Sequence, residues 1–136
     1  DIIVGFPTET EEDFLKTYEY MQKVCYDSAF LFIYSPRQGA KAYSWGDPIP
    51  YSEKVRRLEA LIKLQVEISW EINQKEVGKK ALVLVEGQAK KEKGHLFGKN
   101  PQYKTVVFPQ NGIKPGQFVT VAIKEATPHT LFGAVE

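Results

Sequence analysis

The sequence predicts an α+β chain in three parts: an α/β piece over residues 1–51, a linking helix over residues 52–77, and a small five-stranded antiparallel β-barrel over residues 78–136. Three observations carry this reading. Two short apolar runs flank one amphipathic stretch near the N-terminus, a strand–helix–strand order that implies a parallel pair. Between Ser52 and Val77 a helical repeat of apolar residues runs without a Pro or Gly. After Gly78 the chain breaks into short β-rich runs separated by Gly and Pro turns, the pattern of a small barrel.

Ile2–Phe6 reads as a strand buried on both faces, stopped by Pro7. Thr10, with Glu11, Glu12 and Asp13 behind it, marks a helix start, because the positive end of the helix dipole favours acids in the first turn. Phe14, Tyr18, Met21 and Cys25 then supply one face, so the helix spans roughly residues 11 to 25. Phe30–Tyr34 is a second buried-type strand, and residues 35–51, rich in Pro, Gly, Ser and Tyr, read as loop. One such unit cannot cover both faces of its own strands. A cut-down α/β domain is therefore expected, with bare strand edges that favour a homodimer or a swap.

The linking helix takes Ser52 as its N-cap and Gly78 as the residue past its end. Val55, Leu58, Leu61, Ile62, Ile68 and Ile72 recur at helical spacing, over a length on the order of 36 Å. Trp70 falls among Arg56, Glu59, Lys63, Glu67 and Glu71. Either a partner covers this ring or it lies along neighbouring aliphatic stems. The barrel strands are read as Ala81–Glu86, Leu96–Phe97, Thr105–Phe108, Phe118–Lys124 and Leu131–Val135, with turns at Gly98–Pro101, Asn111–Gly112 and Pro115–Gly116.

Composition narrows the chemistry. The single Cys25 excludes an internal disulfide and any all-cysteine metal cluster within the chain, and reads as a small core residue. His95 and His129 lie too far apart in sequence to suggest zinc, and His95 reads as an ordinary surface residue. No apolar run approaches the roughly 20 residues of a membrane helix, and the opening Asp1–Gly5 lacks the basic region of a signal or transit peptide. The net charge of +1 hides an asymmetry: residues 1–50 carry −4, residues 51–76 balance, and residues 77–136 carry nine lysines against four glutamates, +5. A basic module after an acidic one points to a polyanionic partner for the second part alone.

The candidate residues for contact with such a partner, read as RNA once the resemblance below is counted, are Lys79, Lys80, Lys90, Lys91, Lys93, Lys99, Asn100, Tyr103 and Lys104, in or beside turns of the barrel. The alternative for the lysines is a solubilising surface. Tyr103 is the better stacking candidate, while Phe97 suits core or stacking equally. Arg37 either lines a cavity at the end of the parallel strands or pairs with an acid such as Asp47. Glu9 and Glu11 read as helix-start acids without chemistry.

Several segments resemble the radical-SAM methylthiotransferases. Asp1–Thr10 (DIIVGFPTET) is similar to the family's D-I-I-V-G-F-P-G-E-T segment, and Tyr34–Gly39 to its Y-S-P-R-x-G-T element. Arg56–Gln65, Asn73 and Val77–Lys79 follow the family's linker helix. Val83–Glu86, Leu96–Gly98, Val106–Phe108 and Gly116–Val119 resemble the C-terminal TRAM module, an OB-like barrel. The ending Ala126–Gly133 is closer to the tRNA-modifying (MiaB) branch than to the ribosomal-protein branch. The resemblance implies a cytoplasmic parent enzyme that inserts a methylthio group at C2 of N6-isopentenyladenosine beside the tRNA anticodon, using S-adenosylmethionine and two 4Fe-4S clusters. The clusters need three upstream cysteines each, so this chain alone is expected to be inactive. It is expected to be the last β/α unit of the radical-SAM partial barrel, the linker helix and the TRAM domain, with the anticodon arm and the rest of the enzyme as partners. Thr8, Gln38, Ala40 and the Lys99–Asn100 pair depart from the family pattern, the last replacing a bidentate arginine with a point charge. The alternatives are a ribosomal-protein methylthiotransferase region and a free-standing nucleic-acid-binding barrel.

Overall fold

A computed structural model describes residues 1–136 as two compact units, 1–69 and 70–136. In the first, strand β1 (Ile2–Val4) pairs in parallel with β2 (Leu31–Ile33), and helix α1 (Glu11–Val24) joins them. Thr10 begins α1 with a capping box: its hydroxyl accepts from the Asp13 N–H, and the Asp13 carboxylate accepts from the Thr10 N–H. The parallel sheet stops at two strands, so no partial β/α barrel forms within this chain. A five-residue 3-10 helix, Lys41–Trp45, interrupts the segment expected to be loop.

Cys25 corrects one expectation. It is exposed, not core, and caps α1 in the left-handed conformation at φ 54°. Its position one residue past the last turn, with its N–H donating to the Met21 carbonyl, turns the side chain outward.

Helix α2 (Tyr51–Gln74) passes from the first unit into the second. Ser52 is not its cap. The Pro50 carbonyl accepts from Glu53 and Lys54 at 3.0 and 3.1 Å, so the helix begins at Tyr51 and Ser52 lies in its first turn. At the other end, i→i+3 bonds from Glu76 to Asn73 and from Val77 to Gln74 tighten the chain into turns before the expected stop. The helix buries Leu61, Leu64 and Ile68, but the same face holds Lys54, Arg57, Gln65, Ser69 and Asn73, while Ile62, Val66 and Trp70 remain exposed.

The second unit is a closed barrel in the order β3-β4-β5-β7-β6. Its strands are β3 (Lys80–Gln88), β4 (His95–Lys99), β5 (Thr105–Pro109), β6 (Phe118–Ala126) and β7 (Thr130–Val135). Strict alternation supplies the core: Val83, Val85, Leu96, Val106, Phe108, Val121, Ile123 and Leu131 point inward. The barrel is not wholly antiparallel. A closed ring with an odd number of strands cannot reverse direction at every neighbour, and the one parallel pair is β5 with β7. Closure also brings backbones together at two glycines: a Cβ on Gly98 would lie 2.1 Å from the Leu84 carbonyl oxygen, and one on Gly133 at 2.1 Å from that of Ala122.

Candidate nucleic-acid interface

The predicted basic residues fall into groups that the fold treats differently. Lys79 pairs with Glu76 at 3.1 Å, and Lys80 pairs with Glu136. Lys99 donates to the Thr105 hydroxyl at 2.8 Å, and its Nζ sits 4.7 Å from the centre of the Tyr103 ring. Lys104 donates to the Asn73 side-chain oxygen at 2.8 Å. By contrast Lys90, Lys91 and Lys93, in the loop between β3 and β4, are exposed and form no ion pair. These three ammonium groups stand in water with no protein carboxylate to displace.

Their loop is nonetheless positioned. Ala89 N–H donates to the His95 carbonyl at 2.9 Å, His95 N–H to the Glu92 carbonyl at 3.1 Å, and Gln110 N–H to the Gly94 carbonyl at 3.0 Å. Beside it a cleft of about 390 Å³ is lined by Glu92, His95, Lys124, Glu125, Phe132 and Gly133. Phe97 is half-buried on the same outer surface, opposite the buried Val107, which in turn stands opposite Phe132.

The loop between β4 and β5 is built around Asn100, which is buried. Its N–H donates to the Lys104 carbonyl at 3.1 Å, its side-chain oxygen accepts from the Lys104 N–H at 2.8 Å, and its own carbonyl accepts from the Tyr103 N–H at 2.9 Å. Asn100 thus turns its side chain into the loop and holds Tyr103 at φ 62°, with the phenol 77% exposed. Asn73, buried near the end of α2, ties this loop to the next: its amide donates to the Thr127 and Pro128 carbonyls at 2.8 and 3.1 Å, while its oxygen accepts from Lys104. Gln74 adds a bond to the Ala126 carbonyl at 2.9 Å.

In the first unit Arg37 is exposed and makes no ion pair, and Asp47 is instead the partner of the buried Lys54. Lys54 also donates to the Tyr34 carbonyl at 3.2 Å. Glu9, read from the sequence as a simple helix-start acid, has its side chain 90% buried against Arg57 at 2.6 Å and accepts from the Gly5 N–H at 2.8 Å. Glu53 is held down to about 2 from its ordinary value of 4.5, chiefly by the Arg56 guanidinium and then by Arg57. The adjacent arginines at the start of a helix were the available signal for this cluster.

No group of three or more His, Cys, Asp and Glu side chains comes together to hold a metal. With one exposed thiol as its only cysteine, the chain's donor set does not fit an iron–sulfur cluster. No helix is long and apolar enough to cross a membrane.

Residues 74–135 match the TRAM domain. The chain is 45% identical over 136 residues to a tRNA-2-methylthio-N(6)-dimethylallyladenosine synthase of Porphyromonas gingivalis, covering 99% of this chain and 29% of that protein. It is 47% identical over 138 residues to the protein of that name in Thermus thermophilus, with coverage of 99% and 29%. The corresponding values for Fusobacterium nucleatum are 44% over 135 residues, with 99% and 31%. The chain therefore spans less than a third of the length of these relatives.

Proposed function

We propose that this chain, a member of the methylthiotransferase family with a TRAM domain over residues 74–135, is the substrate-docking C-terminal portion of a tRNA methylthiotransferase. The whole enzyme adds a methylthio group to N6-isopentenyladenosine beside the anticodon, in the cytoplasm. The barrel binds the anticodon arm; S-adenosylmethionine and the iron–sulfur clusters belong to the remainder of the enzyme.

Residues 1–51 fit the last β/α unit of the radical-SAM barrel, and residues 52–77 its linker. Ile3 and Phe32, opposite one another on β1 and β2, are 55% and 50% exposed on one side of a two-stranded sheet. Side chains of other strands across the interior of a parent barrel would cover such a face, and Arg37 would then border the cavity at the strand ends. A second copy of the fragment is the other way to cover it, seen as a dimer in sedimentation.

The observation that carries the RNA reading is the unpaired set Lys90, Lys91 and Lys93 on a loop fixed by backbone hydrogen bonds. Lysine presents a point charge without a base code, so it contacts phosphate and positions the RNA. The test is fluorescence anisotropy of the chain with an anticodon stem-loop, run beside a pull-down with ribosomal protein. Binding of the stem-loop with no capture of ribosomal protein is expected. Capture of the protein without RNA binding would move the chain to the ribosomal branch.

A further inference from the structure

One residue on each of four adjacent barrel strands lines up across the outer surface: Phe118 on β6, Leu84 on β3, Lys99 on β4 and Thr105 on β5. Val83, Val85 and Val121, which alternate with this row, are in the core, so the row faces outward. Leu82, two residues from Leu84, stands opposite Thr120 on the same side. Phe118 is 66% exposed and Leu82 53%, a contiguous apolar surface that the barrel's own packing leaves unused. The Lys99 ammonium sits 4.7 Å from the centre of the Tyr103 ring, which the β4–β5 loop holds exposed at a positive φ that a bulky residue adopts at a cost.

The row therefore has the Phe118 ring at one end, Leu84 between it and Lys99, and a second ring, Tyr103 of the adjoining loop, beside the Lys99 ammonium. Apolar contact alone would suit another protein surface. The ammonium, within a module whose balance is +5, favours an anionic partner with apolar faces. Unpaired nucleotides have both properties, since every base offers a π-face and every linkage a phosphate. Paired RNA hides those faces in its own stack.

We propose that the outer face of β6, β3 and β4 is a stacking site for unpaired RNA bases, one on Phe118 and one on Tyr103, with Lys99 contacting phosphate. This rests on the barrel being an RNA-binding module and adds a division of labour. The Lys90–Lys93 loop supplies charge, and this face discriminates single-stranded from paired RNA.

The test compares the affinity of the chain for a hairpin RNA with an unpaired loop and for a fully paired duplex of equal phosphate count. Wild type, Phe118→Ala, Phe118→Leu and Tyr103→Ala are measured across a salt series, with thermal unfolding as the check on folding. Each substitution is expected to weaken hairpin binding by roughly 5- to 150-fold, the range for loss of one stacked base. Duplex affinity and the hairpin salt slope should not move, because a ring releases no counterions. Phe118→Leu keeps the apolar bulk and tests the ring itself if the alanine variant folds poorly. Unchanged hairpin binding in the folded variants would overturn the site while leaving the lysine-dependent RNA reading intact. Wild type binding neither RNA would overturn both. A dimer that Phe118→Ala converts to monomer, with RNA affinity unchanged, would assign the face to a second copy and also overturn the proposal.

Discussion

Asn73 joins three chain segments through one side chain. Its amide reaches the Thr127 and Pro128 carbonyls of the β6–β7 loop, and its oxygen takes the Lys104 ammonium of the β4–β5 loop. Removing it takes the side-chain donor from the Thr127 and Pro128 carbonyls in a part-buried setting, at a cost of about 1–3 kcal/mol. Asn73→Ala should accordingly lower the urea midpoint of the barrel unit, and an unchanged midpoint would show that water replaces these bonds freely. The sequence marked Asn73 only as part of a resemblance, because hydrophobic periodicity counts apolar residues and passes over a polar one in the buried register. The same limit applies to the lysines. As a sequence they are equivalent, and what separates Lys104 and Lys80 from Lys90 is a partner 31 residues away in one case and at the last residue in the other. Tyr103 was legible as an aromatic beside a turn, whereas Phe118 was seen only as one position in an alternating strand.

Helix α2 shows how far periodicity goes at the scale of an element. Its existence follows from a long stretch without Pro or Gly, but its orientation does not follow from its apolar residues. The buried face carries Lys54, Arg57, Gln65, Ser69 and Asn73, and each donates to a loop carbonyl: Tyr34, Glu9, Tyr26, Asp27 and Thr127 respectively. These bonds satisfy loop backbone that would otherwise be buried unpaired, and in exchange Ile62, Val66 and Trp70 face outward. The first turn of α2 also gives a pH signature. Glu53 is held at about 2 in the folded chain against an ordinary 4.5. Its contribution is complete above the ordinary value and is lost as pH falls toward 2, since the unfolded chain then binds the proton first. Acid titration of unfolding should show this loss, and Glu53→Gln should flatten the curve in that window; an unaltered curve would place the acid sensitivity elsewhere. The barrel strands were legible from alternation and turn residues. Their closure into a barrel was legible too, but not the parallel β5–β7 pair, although an odd number of strands already required one.

At the scale of the whole molecule, a charge asymmetry visible in the sequence is divided by a distinction visible only in the fold. Residues 77–136 carry +5, yet four of the candidate lysines have partners within the protein, and the exposed, unpaired ones cluster in the β3–β4 loop. A polyanion bound at that loop would displace water and counterions and break no ion pair of the protein. The direct measurement is the salt dependence of anticodon-arm binding by the chain and by the variant with Lys90, Lys91 and Lys93 all changed to Glu. Three or four phosphate contacts predict a slope of log affinity against log salt of roughly −2 to −3 for the unaltered chain. The triple variant should fold normally, since an exposed loop contributes little to stability, and should lose binding. An unchanged affinity and slope in the folded triple variant would contradict the account and leave these lysines as a solvated surface.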